Sequence, residues 1–433
     1  MKKDRLLIKL KNKTFYLDKK FLQWLAGFTD AEGNFNISLR NLKDNKYNSL
    51  LLTFQIGLHI EDLDVLKFIQ RKLNCGHISI SGSKCNYFVN DQVSLINVIV
   101  PIFNYVQLNS SKYFHYLIFE KAVNLIKNKA HLSPLGKLEI IKYYHEMKNV
   151  DITSLSRVSD IHISDYWLGG FIDGDGSFST NKHVPRFKLE NHVKELELFR
   201  RIKEYFNSGN LLIVPPRKNR LNHNSMVVLE INNIQVLKNL ILPFFSLCPQ
   251  RALLRWGIHF VSKNHSKLSL SLALPKREDR ILQSKKFKDF CDWSILVNIY
   301  FYGYHRLPEA IPLINDIKAR MNNFRLSTNK SGGVAWAEGL AFDNSVSSLD
   351  SKITYLFSLP APYEIKNGVR YLAGTNKLVS ERLRILAIDV NGNKFSYSSI
   401  SECNRALEIG RAIIKDCILT GKTYKGYKFI YDV

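Results

Sequence analysis

The clearest signal along this chain is a change of hydrophobic period. Residues 22–31 are apolar almost all round, which predicts a helix buried on every side. Small residues at Ala26 and Gly27 interrupt it, and glycine weakens a helix unless close backbone approach is the purpose. Gly33 stands where that helix should stop. Alternation then takes over. Phe35, Ile37 and Leu39 point one way while Asn34, Asn36, Ser38 and Arg40 point the other, the pattern of a strand with one buried and one polar face. Leu50, Leu52, Phe54 and Ile56 alternate in the same way with Leu51, Thr53 and Gln55. Helical periodicity returns over 61–73, 111–127 and 134–147.

The same succession occurs twice. The stretch from Trp24 to Phe35 reappears from Trp167 to Phe178, with seven of twelve positions identical and the acid at Glu32 kept as Asp175. Gly169, Gly170 and Gly176 repeat the small-residue pattern, and Phe187 and Leu189 alternate with Arg186, Lys188 and Glu190. Lys112, His131 and Met147 are spaced 19 and then 16 residues apart, as are Lys286, His305 and Met321. Such register predicts a duplicated domain, with the extra length of the second copy held in an insertion around 247–280. The expected division is 1–155 for the first repeat and 156–330 for the second, followed by a linker at 331–384 and a small unit at 385–433.

Two helices packed through their small residues would bring Glu32 and Asp175 to the same end of the pair. Carboxylates forced together repel unless a cation lies between them, so the pair reads as a site for a hard divalent metal. A solvated helix-to-strand turn also favours acids and glycine, and for one copy alone that reading would be preferred. Its recurrence in both copies, with the packing glycines, favours the metal. The Asp173 segment is no EF-hand, because it has no ligand at the fifth place and no Glu at the twelfth. Composition adds a partner. Lys and Arg number 62 against 38 Asp and Glu, a formal net charge of +24 on a chain that is 45% hydrophobic, which points to a folded body that binds a polyanion, most often nucleic acid. An acid pair between polar, basic sheets suits metal-assisted phosphodiester hydrolysis. Six cysteines without a C-x-x-C pair predict neither a disulfide framework nor a zinc site, no apolar run is long enough to span a membrane, and the start is a poor match to a secretory or import peptide.

The stretches 25–33 and 168–176 resemble the motif of the LAGLIDADG homing endonucleases, and the likeness extends over residues 20–330. That resemblance implies an α+β fold of two pseudosymmetric αββαββα repeats forming a DNA-binding saddle, and a monomer that cuts both strands of a long, non-palindromic duplex to leave 3′ overhangs. It implies Mg²⁺ held by Glu32 and Asp175 with the backbone of Gly33 and Gly176, and catalytic lysines at Lys112 and Lys286, although Lys285 competes in the second copy. The polar position the family places after the second strand falls on Leu58 in one copy and Asn191 in the other, so the two halves are expected to differ. Asp30 and Asp173 look structural. DNA contacts are expected from Asn34, Asn36, Ser38, Arg40, Thr53 and Gln55, and from Ser177, Ser179, Arg186, Lys188 and Glu190.

In the tail, Asn391-Gly392 marks a hairpin turn and Ser399 to Glu402 a capping box. Two short helices around Gly410 form a helix-turn-helix pattern with Arg411 and Lys415 on one face of the second. The segment resembles the nuclease-associated modular domains of intron-encoded endonucleases, which implies further DNA contacts. An RNA maturase acting on its host intron, and a DNA-binding regulator without cleavage, are the competing functions. Residues with AT-rich codons suggest an organellar genome, mitochondrial before chloroplast, and the mitochondrial matrix as location.

Overall fold

The structure is a computed structural model that describes residues 4–150, 161–181, 183–216, 224–245, 280–322, 342–366, 368–379, 384–397 and 399–432. It opens with a hairpin, β1 (Arg5–Leu10) and β2 (Lys13–Asp18), whose Ile8, Leu10 and Leu17 are buried. Asp18 ends the hairpin and caps α1 (Lys19–Glu32), its carboxylate accepting the Lys20 N–H at 2.8 Å. Strands β3 (Gly33–Arg40) and β4 (Ser49–His59) follow, then α2 (Leu63–Leu73), β5 (His77–Ser81) and β6 (Lys84–Val89). A helical run over 92–105, with a π turn at Leu95–Ile99, leads to α3 (Lys112–Lys127) and α4 (Pro134–Lys148).

The second repeat runs through the same order. It comprises α5 (Asp165–Asp175), β7 (Gly176–Asn181), β8 (Val184–His192), α6 (Leu196–Phe206), β9 (Asn210–Val214), β10 (Met226–Ile231), α7 (Lys286–Phe301) and α8 (Ala310–Lys318). Each repeat holds a four-stranded antiparallel sheet, ordered β3-β4-β6-β5 and β7-β8-β10-β9. Even the register is shared, since Gly33 lies opposite Ile56 and Gly176 opposite Leu189. One face of each sheet is buried by its own helices. Phe35 meets Phe54, Phe103, Tyr116 and Phe119 in the first repeat, and Phe178 meets Phe187, Phe245 and Trp293 in the second. The core is continuous across both repeats through α1 and α5. The insertion expected over 247–280 falls outside the described residues apart from Arg280.

The glycines that follow α1 and α5 stop the helices as expected, and they do so with extended backbone. Gly33 and Gly176 have φ of −81° and −77°, which any residue can adopt. They are glycines because the strand doubles back tightly on the last turn: a Cβ on Gly33 would lie 2.5 Å from Thr29 Cγ2, and one on Gly176 2.5 Å from Ile172 Cγ2. Residues 331–384 are more than a linker. They contain α9 (Phe342–Ser358) and a hairpin of β11 (Tyr363–Lys366) and β12 (Val369–Leu372), and both dock on the second repeat. Arg370, only 4% exposed, donates to the Tyr300 and Phe301 carbonyls at 3.0 Å and so satisfies the C-terminal end of α7. The Tyr363 N–H reaches the Tyr302 carbonyl at 3.1 Å.

The C-terminal unit has its own small core of Ile385, Ala387, Cys403, Ile409, Ile414, Cys417 and Phe429. Strands β13 (Arg384–Ile388) and β14 (Lys394–Tyr397) form the expected hairpin, and α10 (Ile400–Leu407) and α11 (Arg411–Thr420) the expected helix pair. The Ser399 side chain accepts the Glu402 N–H at 3.2 Å, as the capping box requires. The final stretch, read from sequence only as aromatic and basic, adds β15 (Thr423–Tyr424) and β16 (Tyr427–Asp432). The sheet order is β14-β13-β16-β15, with β13 central. Among the described residues no helix is long and apolar enough to cross a membrane.

Candidate active site and nucleic-acid face

The site is built on the contact between α1 and α5. The helices touch backbone to backbone: a Cβ on Gly27 would sit 1.8 Å from the Trp167 carbonyl oxygen, and one on Gly170 2.0 Å from the Trp24 carbonyl oxygen. This reciprocity is a pseudo-twofold contact that only glycine permits. At its lower end Gly174 faces Ala31 and Glu32, where a Cβ would lie 2.2 Å from Ala31 Cβ and 3.1 Å from Glu32 Cγ. Glu32 and Asp175 therefore end the two helices side by side.

Asp30 and Asp173, two residues back, are buried and hold the loops that precede the lysine helices. Asp30 accepts the main-chain N–H of Asn109 and Ser110 at 2.8 and 3.0 Å, and the Trp167 indole N–H of the other repeat at 2.8 Å. Asp173 accepts the N–H of Gln283 and Ser284 at 2.6 and 3.1 Å. Burial pushes both carboxyls up to about 6, against the pull of those hydrogen bonds. This is the structural placement expected of them.

The loops bring the lysines back to the acids. Lys112 Nζ donates to the Ala31 and Thr29 carbonyls at 2.6 and 3.2 Å, at the negative end of the α1 dipole. Lys286 Nζ donates to the Gly174 carbonyl in the matching place on α5. The neighbouring Lys285 is the residue before α7, and its main chain donates to Asp62, so Lys286 is the positional counterpart of Lys112. Burial lowers both ammoniums, while Asp175, Asp30 and Glu32 raise Lys112, and Asp173, Asp175 and Glu32 raise Lys286.

Glu32 is pushed up to about 7, first by burial and then by the charge of Asp175, with Lys286 and Lys112 pulling the other way. Burial raises Asp175 too, opposed by Lys286, Lys112 and the Asn191 amide. A carboxyl raised by the charge of its neighbour marks a pair a cation would relax. Among the described residues no group of three or more His, Cys, Asp or Glu converges on one point. A pair of this kind fits a hard ion that completes its shell with phosphate oxygens and water, as Mg²⁺ usually does.

The halves are not equal. Asn191 Nδ2 donates to Asp175 Oδ2 at 2.7 Å and fixes that carboxylate. Leu58, at the same register in the first repeat, has no side-chain donor to offer Glu32. Sequence reasoning missed Asp62 and Glu195. The Asp62 carboxylate accepts the Lys285 N–H at 2.7 Å, and Glu195 accepts the Ser111 N–H at 3.0 and 3.2 Å. The signal was present, because each acid stands three residues after a histidine, His59 or His192, in aligned places of the two copies.

The outward faces of the sheets flank this centre. In the first repeat Asn34, Asn36 and Arg40 are exposed and Ser38 and Gln55 half-buried, with Gln55 Nε2 bonded to Asn86 Oδ1 at 3.0 Å. Thr53 must be corrected: it faces the expected side but is only 7% exposed. The same face carries Asn86, Phe88, His77 and Ser79 from β5 and β6, which sequence reasoning did not assign. In the second repeat Ser177, Ser179, Arg186, Lys188 and Glu190 line, together with Asp175, a groove of about 470 Å³. Its charges are paired with one another: Arg186 bonds Ser179 at 3.3 Å and lies 3.5 Å from Glu230, and Lys188 meets Glu190. Arg411 and Lys415 are exposed along α11 in the C-terminal unit.

A family model for the LAGLIDADG endonucleases matches residues 25–123 and 168–252. The chain is similar to "Probable intron-encoded endonuclease 3" of Neurospora crassa, 28% identical over 62% of this chain and 58% of that one. It is similar as well to "Uncharacterized mitochondrial protein RF1" of Saccharomyces cerevisiae, 26% identical over 71% of this chain and 61% of that one. The match thus spans about three fifths of each relative's length. A solved structure of I-SmaMI, bound to uncleaved DNA target in the presence of calcium ions, shares the fold with TM-score 0.53 and 20% identity, covering 70% of this chain and 98% of that one. Each of the two matched regions carries one of the glycine-packed helices that end on an acid, and it is over these two regions that the chain matches the LAGLIDADG endonuclease family.

Proposed function

We propose that this protein is a site-specific, divalent-metal-dependent DNA endonuclease that cuts both strands of a long, non-palindromic duplex and leaves 3′ overhangs. The observation that carries the reading is the half-buried pair of Glu32 and Asp175 at the glycine-packed helix ends, in which the Asp175 charge raises Glu32, with a lysine beside each. Glu32 and Asp175, with main-chain oxygens of the Gly33 and Gly176 turns, would hold Mg²⁺. Bound there, the metal supplies the Lewis acidity that activates water and stabilises the leaving oxygen. Lys112 and Lys286 place positive charge where negative charge develops on the scissile phosphates. Asn191 holds the Asp175 carboxylate in one orientation, which favours the site on that side.

The two outward sheet faces supply base readout, from amides and hydroxyls in the first repeat and from charged pairs in the second. Arg411 and Lys415 on the helix pair of the C-terminal unit extend the contact along the backbone, the role of a nuclease-associated module. Both repeats lie in one chain and complete the site between them, which supports action as a monomer. The names of the fungal relatives support an intron-encoded origin and a mitochondrial location. The test is cleavage of a randomised duplex library with Mg²⁺, alongside Glu32→Gln and Asp175→Asn. Discrete cuts that vanish in both variants are expected. Without any cutting by the wild type, tight binding of intron RNA would refute the nuclease and favour an RNA partner, and tight binding of DNA alone would favour a regulator.

A further inference from the structure

The two helices that carry the lysines are each held, at their first turn, by the opposite repeat. Helix α3 belongs to the first repeat, yet the Ser111 N–H that precedes it is bound by Glu195 of the second, through both carboxylate oxygens at 3.0 and 3.2 Å. Helix α7 belongs to the second repeat, yet the Lys285 N–H that precedes it is bound by Asp62 of the first at 2.7 Å. Both acids end a short turn after the second strand of their sheet, and both are buried, at 9% and 6% exposure. Burying a carboxylate is costly unless it is well paired, and a serine or threonine of the same repeat could cap a helix without that cost. Here the costly solution occurs twice, in aligned places, and both times it crosses the pseudo-twofold axis.

The other side of each lysine loop is held from within its own repeat, by Asp30 at Asn109 and Ser110 and by Asp173 at Gln283 and Ser284. Lys112 and Lys286 therefore stand on loops clamped between two carboxylates, one from each half of the molecule. We infer that Asp62 and Glu195 are positioning residues that make each active-site lysine depend on the opposite repeat, so that neither half-site is assembled unless the halves are docked. This rests on the nuclease reading for its catalytic consequence, but not for the linkage itself.

Two measurements separate the linkage from that reading. The first is amide hydrogen exchange of the metal-free, full-length protein. Glu195→Ala should accelerate exchange in residues 109–116 of the other repeat by about tenfold, the loss expected for a removed helix cap, and leave 283–290 near the wild type. Asp62→Ala should do the reverse. Glu195→Gln and Asp62→Asn keep an acceptor oxygen and should retain most of the protection, so they serve where an alanine variant does not fold. The second uses the duplex recovered from the randomised library, with a different label on each strand. Lys112→Met and Lys286→Met assign the strand that depends on each lysine. Glu195→Ala should then slow the Lys112-dependent cut roughly tenfold and the other less than about twofold, with Glu195→Gln restoring most of the rate. Unchanged exchange at 109–116, acceleration spread over both repeats, or equal slowing of both strands would overturn the inference. Crossed exchange effects in a protein that cuts no duplex would uphold the linkage and remove the nuclease reading alone.

Discussion

Replacing Glu32 by Gln should stabilise the metal-free protein at pH 8 while abolishing cleavage. The folded protein holds the Glu32 carboxyl near 7 against an ordinary 4.5, chiefly through burial and the nearby Asp175 charge. A carboxyl raised on folding stabilises the fold below its unfolded value and loses that contribution as pH climbs from about 4.5 through 7. Above pH 7 the wild type must carry the buried charge. At about 1.4 kcal/mol for each tenfold, the gap amounts to about 3 kcal/mol. Gln imitates the protonated acid and escapes it. In a chain of 433 residues that corresponds to a rise in melting temperature of roughly 3 °C at pH 8, shrinking toward zero at pH 5. Calorimetry in EDTA at the two pH values measures it. Adding Mg²⁺ at pH 8 should then raise the wild type by mass action and the variant much less, so the gap narrows. A variant that melts with the wild type at pH 8, or gains as much at pH 5, would refute a repelling buried pair at this place.

Other consequences are equally direct. Gly27→Ala places a methyl group 1.8 Å from a main-chain oxygen and must separate α1 from α5, with an expected loss of about 3 kcal/mol or more in chemical denaturation. Gly410→Ala, whose nearest neighbour would be 3.6 Å away, should stay within about 1 kcal/mol of the wild type. Asn191→Leu gives the second repeat the residue that stands at this register in the first, Leu58. It should raise the Mg²⁺ needed for half-maximal cutting of one strand by about ten- to a hundredfold and leave the other strand's requirement unaltered. Arg411→Ala with Lys415→Ala should weaken DNA binding alike on all sequences and reduce the slope of log affinity against log salt by about 2, read by fluorescence anisotropy.

How much of this could be read beforehand follows from which interactions are local. The period change at Gly33 and its repetition at Gly176 are local, so the elements, the duplication and the acid pair were all visible in the sequence. The C-terminal capping box and helix pair were legible for the same reason. What escaped depends on contacts distant in sequence. Asp62 and Lys285 are 223 residues apart, and no periodicity links a turn in one repeat to a helix start in the other. The docking of β11 and β12 was hidden similarly, because a Pro-flanked stretch reads as linker until Arg370 is seen satisfying the end of α7. Thr53 misled because alternation assigns a face and not an exposure.

The two sheet faces differ in a way that bears on discrimination, given the proposed DNA partner. The first repeat offers Asn34, Asn36, Ser38 and His77, which are short or neutral groups whose donors and acceptors can meet base edges without removing a competing charge. The second offers Arg186 and Lys188 already engaged with Glu230 and Glu190. Such partly exposed pairs are worth about 0–1 kcal/mol each, so opening them for a base costs little. The acids nevertheless remain on the face, where a backbone phosphate brought close to Glu190 or Glu230 is repelled. A guanine that takes Arg186 in two hydrogen bonds repays the opening, whereas a poorly matched base leaves both acids facing the duplex unrelieved. Negative charge on an otherwise basic molecule therefore sharpens selection in the second half-site, while the first face reads its half-site with Arg40 and its neutral amides and hydroxyls. A chain with this division would recognise the two halves of its target by different rules, which no palindrome could satisfy.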